Sequence, residues 1–189
     1  GGKHSLLLLP LHLAAMLKLD DAHLEAISAV HPPDATWQLA DLLRAGRVGE
    51  NAALEHAVHE ANQRNMPLLA VFALTADFPG ANERSFAFLL EGLRHYQQQL
   101  QRERDVKLVV LRGPPPAVVV ALAHQAALLV ADVGYTRVSR QWHRQLAAEC
   151  PCPFHAVESE VVVPVELAST REEGAAASLR PKLRRHFHR

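Results

Sequence analysis

Three short runs of apolar residues, regularly separated by segments of helical period, limit this chain to very few architectures. "PLLAVFAL" (67–74), "VKLVVLR" (106–112) and "ALLVAD" (127–132) are nearly continuous in apolar character. They do not alternate, which is the pattern of strands covered on both faces. Between the first two lies "ANERSFAFLLEGLRHYQQQLQRER" (81–104), where Phe86, Leu89, Leu90, Leu93 and Tyr96 recur at spacings of three and four and make one apolar helical face. Between the last two lies "PPPAVVVALAHQAA" (114–127). Its prolines stand at the start, where a missing N–H costs little, and Val118, Leu122 and Ala126 continue the stripe. A helix over "TRVSRQWHRQLAAE" (136–149) and a short strand in "PFHAVES" (153–159) complete the series. Strand and helix alternating in this way predict an α/β fold, a three-layer Rossmann-like domain with right-handed crossovers and a mostly parallel sheet of about five strands.

The first third is less regular. "ENAALEHAVHEANQRN" (50–65) predicts a helix leading into the strand at residue 67, whereas "DATWQLADLLRAGR" (34–47) reads more like a helix than a strand. Either Leu6 to Leu13 supplies the first strand or the sheet begins abnormally. The aliphatic stretch Leu6 to Leu17 is too short to span a bilayer and is interrupted by Pro10 and His12. It also lacks a small-x-small cleavage site, so it reads as a structural helix.

At 189 residues the chain is long enough for one domain with a sizeable core. Lys plus Arg and Asp plus Glu both number 20, so no global basic field attracts nucleic acid. Cys150 and Cys152 have only Pro151 between them; a disulfide there would be strained, and two thiols do not complete a zinc site. They read as a reduced pair in a cytoplasmic protein. His56 and His59 lie three apart on a predicted helix, but no third ligand is fixed by spacing, and no metal is expected. No Gly-rich phosphate loop, nucleophile elbow or paired-carboxylate constellation marks an independent catalytic centre.

In a sheet of this kind ligands bind at the carboxyl ends of the strands. The residues there are Thr75, Asp77, Phe78 and Asn82 after one strand, Arg112 and Gly113 after the next, and Asp132, Tyr135 and Arg137 after the third. A purely structural reading stands beside this one: Asp132 caps the following helix, Gly134 permits a left-handed turn, and "DFPGAN" is a tight loop. "RPKLRRHFHR" sets Arg180, Lys182, Arg184, Arg185 and Arg189 around Phe187. Such a tail can contact phosphates and stack a base, but a solvated linker is the favoured reading.

Several collinear segments resemble the N-terminal domain of the cryptochrome/photolyase family, specifically class II deoxyribodipyrimidine (CPD) photolyases. They are "RVGENAALEHAVHEAN" (47–62), "NMPLLAVFALTADFPGANERSFAFLLEGL" (65–93), "VVLRGPPPAVV" (109–119), "VADVGYTRVSRQW" (130–142), "CPFHAVESEVVVPVELAS" (152–169) and "LRPKLRRHF" (179–187). Where the family has a polar, basic turn leading to an Asp-Asn pair, only Arg44, Arg47 and Asn51 match, with Glu50 for the carboxylate. The resemblance implies residues 44–169 as the α/β domain, 170–189 as a basic linker towards a helical FAD-binding domain that is absent, and 1–43 as an extension of unclear role. It further implies an antenna function, with 8-hydroxy-deazaflavin ahead of FMN or folate, and FAD only through the absent domain. Phe78 or Tyr135 would give the chromophore a flat apolar wall, and Arg112 or Asn82 polar contacts. Partners implied are the FAD domain and, through it, UV-damaged DNA; no membrane is involved, and the docking face could also pair with itself. The family's tryptophan relay belongs to the absent domain, so Trp142 is expected in a core or interface role. The domain alone is not expected to repair DNA; the alternative is an interaction module without chromophore that binds a protein or nucleic-acid partner.

Overall fold

The computed structural model describes residues 37–41, 48–49, 51–76 and 78–187, with side chains from residue 48 onward. Its strands are β1 (Trp37–Asp41), β2 (Leu68–Leu74), β3 (Lys107–Arg112), β4 (Ala126–Asp132) and β5 (Phe154–Val157). Its helices are α1 (Ala52–Arg64), α2 (Glu83–Arg104), α3 (Pro115–Ala123), α4 (Arg137–Glu149), α5 (Val165–Ala168) and α6 (Ala176–Arg184). The strands form one five-stranded parallel sheet in the order β3-β2-β1-β4-β5.

The continuous apolar runs are explained by two cores, one on each face. Leu69, Val71, Ala73, Val109, Leu111 and Leu129 point to one side and pack with Val118, Val119 and Leu122 of α3 and Leu146 of α4. Ala70, Leu108, Leu128 and Val130 point to the other and pack with Leu54 and Ala57 of α1 and Leu93, Tyr96 and Leu100 of α2. Successive strand residues thus supply opposite cores, the period of two that a pleated strand imposes. Leu90 falls off the buried stripe of α2 and is 40% exposed, a departure from the expected face.

Residues 34–47 were expected to be helical, but Trp37–Asp41 is the central strand. Gln38, Ala40 and Asp41 are weak strand formers, and tertiary pairing overrides that preference. Leu39 is in register with Leu69 on one side and Leu129 on the other. The sheet therefore begins ahead of residue 44, inside the stretch set aside as an extension. The alternative first strand, Leu6 to Leu13, lies outside the described residues.

Local chemistry sets the ends of the helices. Asn51 caps α1, Asn82 caps α2 and Thr136 caps α4, each accepting a backbone N–H from its first turn. Asn65 and Asp105 end α1 and α2 in the left-handed conformation, with φ of 50° and 51°. The helix after β4 is therefore capped by Thr136 and not by Asp132. Among the described glycines positive φ occurs at Gly80 and Gly113, so Gly134 does not make the expected left-handed turn. Gly80 does serve the tight loop, where Ala81 N–H donates to the Phe78 carbonyl at 3.1 Å.

Gly113 is constrained more strongly. Its N–H donates to the Leu74 carbonyl at 2.9 Å, and a Cβ on it would lie 2.9 Å from Cγ2 of buried Val118. Gly113→Ala is expected to cost about 1–3 kcal/mol through overpacking and backbone strain, read as a lowered denaturant midpoint with an unchanged slope.

Candidate functional site

Two groups of side chains gather at the carboxyl ends of the strands. The first is an apolar pocket of about 250 Å³ above β2, with walls that include Phe72, Leu74, Phe78, Phe86 and Trp142. Phe78 comes from the loop after β2 and Trp142 from α4. Their rings meet edge to face with centroids 6.2 Å apart, a favoured aromatic geometry. Phe78 remains 46% exposed, so the pocket opens to solvent beside an aromatic face. Thr75 also lines it.

The other residues predicted after β2 and β3 surround this pocket in different ways. Asn82 accepts from Ser85 N–H at 2.9 Å and Ser85 Oγ at 3.0 Å, so its side-chain oxygen is engaged as a cap. Arg112 is exposed at the end of β3, in register with the pocket residue Leu74, and Gly113 ties the two strand ends together. Asp77 lies outside the described residues.

The second group is polar and centres on β4. Asp132 is fully buried, and its Oδ1 accepts from Ser159 N–H at 3.2 Å. Ser159 Oγ accepts from Ala53 N–H at 2.9 Å and donates to Asn51 Oδ1 at 3.4 Å. Asn51 Oδ1 also accepts from Leu54 N–H at 2.9 Å. Three pieces of chain, at the start of α1, the end of β4 and just beyond β5, are thereby clamped together. Asn51 is 1% exposed, and its Nδ2 is buried without a hydrogen-bond partner among the described residues. Arg137, at the first turn of α4, is exposed and stands apart from the clamp.

Tyr135 follows the clamp in the β4–α4 turn, where its hydroxyl donates to Glu158 Oε1 at 2.6 Å. Burial, then the hydrogen bond and charge of Glu158, raise its phenol above the ordinary range. Across the sheet end Tyr96 is pushed up to about 12 by burial, with the Asp132 charge adding to it. Both phenols are therefore protonated at physiological pH; Tyr135 donates to Glu158, whereas the buried Tyr96 hydroxyl has no hydrogen-bond partner among the described residues. His143 of α4 packs edge to face on Phe154 at 6.0 Å, and burial lowers its pKa below the ordinary 6.5.

Deduction from the sequence missed Glu158 and Ser159. The rule that ligands meet strand carboxyl ends, extended from β4 to β5, would have found them. His56 and His155 face each other across α1 and β5, with Nε2 and Nδ1 2.9 Å apart. Among the described residues no three His, Cys, Asp or Glu side chains cluster as metal ligands, and no helix is long and apolar enough to cross a membrane.

Residues 37–189 match the DNA photolyase family. The chain belongs to that family. It is similar to the deoxyribodipyrimidine photo-lyase of Methanothermobacter thermautotrophicus, with 46% identity over 139 residues that make up 74% of this chain and 31% of the relative. Similarity extends to the rice enzyme of the same name from Oryza sativa subsp. japonica, at 32% identity over 83% of this chain and 33% of the relative. An archaeal photolyase from Sulfolobus tokodaii, solved with two FAD molecules, shares the fold with a TM-score of 0.62 and 19% identity over 77% of this chain and 34% of that one. The chain thus spans about a third of the length of these photolyases.

Two stability predictions follow from the polar group. Ser159→Ala removes the acceptor for Ala53 N–H and the link to Asn51, and should cost about 1–2 kcal/mol in equilibrium denaturation. The lowered pKa of His143 means that the unfolded chain takes up a proton below pH 6.5 before the native ring does. Stability should therefore fall as pH drops through that value. In His143→Gln this part of the fall should be absent when midpoints are compared between neutral and mildly acidic buffer.

Proposed function

We propose that this photolyase-family domain holds an antenna chromophore and docks on a flavin-binding domain. The observation that carries the reading is the open apolar pocket at the carboxyl end of β2, walled by Phe78 and Trp142. Its volume of about 250 Å³ is a little below the usual range for small-molecule sites, about 300–1,000 Å³. That size suits a flat fused ring whose polar chain lies outside. Phe78 and Trp142, packed edge to face on each other, would give the ring one aromatic wall, and exposed Arg112 would meet acceptors on the chain. The fit favours 8-hydroxy-deazaflavin or FMN, since both join a flat ring to a polar tail. Bound there, such a group would supply light absorption and pass the excitation energy to FAD held elsewhere.

Docking is supported by a groove of about 1,140 Å³ between α5, α6 and the bend that precedes them, with Val162, Val165, Leu179, Leu183 and Phe187 among its walls. Val162 is 87% exposed and Phe187 54%. Large apolar side chains left in water mark interaction surfaces, and about two thirds of the Methanothermobacter relative lies outside the matched region and could supply the cover. In this reading the chain contributes to light-driven repair of cyclobutane pyrimidine dimers only with that domain. The 189 residues alone would not split dimers, and light-dependent repair by the isolated chain would overturn this part of the reading.

The antenna role is tested by absorbance titration of the purified chain with 8-hydroxy-deazaflavin and FMN. Saturable binding is expected, weakened about tenfold in Phe78→Ala, which corresponds to about 1.4 kcal/mol. A folded chain that binds neither would count against the antenna function and in favour of an interaction module without chromophore.

A further inference from the structure

The two residues after β5 separate two jobs. Ser159 faces the clamp at α1 and β4, while Glu158 faces the other way. The Glu158 carboxylate accepts from the Tyr135 hydroxyl at 2.6 Å and from the backbone N–H of Val165, the first residue of α5, at 3.1 and 3.3 Å. One carboxylate therefore fixes both a side chain of the β4–α4 turn and the start of the C-terminal segment.

That segment is internally tied but only lightly held to the sheet. Lys182 of α6 donates to Ser169 Oγ at 2.9 Å and is ion-paired with Glu173, and Ser169 Oγ donates to Glu173 at 2.8 Å. These contacts, Lys182 first, hold the Glu173 carboxyl at about 2. Neither α5 nor α6 contains a buried residue. Among the described residues its ties to the body of the domain include buried Val163 and the hydrogen bonds of Glu158.

We propose that Glu158 is a positioning residue that couples the ligand mouth beside β4 to the placement of α5 and α6. A carboxylate held by two donors is fixed more firmly than by either alone, because each hydrogen bond orients the group for the other. Withdrawing the Tyr135 hydroxyl should loosen the N-terminus of α5, and loosening α5 should free Tyr135. Tyr135 stands outside the apolar pocket over β2, so a ligand whose polar chain reaches the β4–α4 turn would act on it and thereby shift the segment that carries the groove. The purpose assigned to this coupling rests on the antenna reading, but the coupling itself is measured without any ligand. Absence of chromophore binding would therefore sink that reading and leave the coupling standing.

The test compares Glu158→Ala, Glu158→Gln and Tyr135→Phe in the full chain, with circular dichroism reporting the sheet. The chain has two tyrosines, so phenolate absorbance against pH follows both. In Glu158→Ala one phenol should move down towards the ordinary value of about 10, and tryptic cleavage after exposed Arg171 should quicken about fivefold, as expected for roughly 1 kcal/mol of lost fastening. Glu158→Gln keeps one acceptor oxygen and should restore part of the protection. The decisive variant is Tyr135→Phe, which removes a hydroxyl bonded to Glu158 and leaves the Val165 N–H bond to that carboxylate in place, and should still quicken the same cleavage. Unchanged cleavage in Tyr135→Phe, or an unmoved phenol titration in Glu158→Ala, would overturn the coupling and leave Glu158 a helix cap.

Discussion

Five residues in the middle of the sheet, Trp37–Asp41, are hydrogen-bonded on one side to β2 and on the other to β4. This pairing is the constraint on which the rest depends. It joins the first half of the chain to the second, and it places the reversal of strand order at β1 and β4. Chains that run outward in both directions from such a point leave a crevice above it, because the connections on either side depart to opposite faces. The clamp of Asn51, Ser159 and Asp132 is built at that crevice, and the aromatic pocket lies one strand away above β2. Photolyase-family membership gives the arrangement its context.

Most of the scaffold could be read from the sequence, for a specific reason. Strands β2, β3 and β4 are covered on both faces, so their apolar runs are unbroken, and the caps Asn82 and Thr136 stand where each helical period begins. By contrast β1 could not be read. Three of its five residues, Gln38, Ala40 and Asp41, have weak strand preference, and its identity comes from partners 30 and 90 positions away, as in the pairs Leu39↔Leu69 and Leu39↔Leu129. A period count over "DATWQLADLLRAGR" sees only local text.

The site was legible to the extent that topology alone fixes it. Thr75 and Phe78 were placed at a strand end and do line a pocket, while Trp142, expected in a core or interface role, closes the other side of it. Asn82 proved to be a cap, and Asp132 and Tyr135 turned away from the pocket into their own polar network. What no local pattern could announce was the pair Glu158 and Ser159. Their partners are more than 20 residues away in every case but Val165, and their meaning appears only once β5 is laid beside β4. Side chains that divide between two tasks in this way tie the carboxyl end of β4 both to the start of α1 and to the start of α5.

The most direct measurement of the central claim is the tryptophan emission of the chain during titration with FMN, compared with that of Trp142→Phe. If the ring sits in the pocket over β2 against Trp142, emission falls saturably in the parent protein and the Trp142-dependent part of that fall vanishes in the variant. Equal quenching in both proteins, with binding retained, would put the chromophore elsewhere and contradict the account.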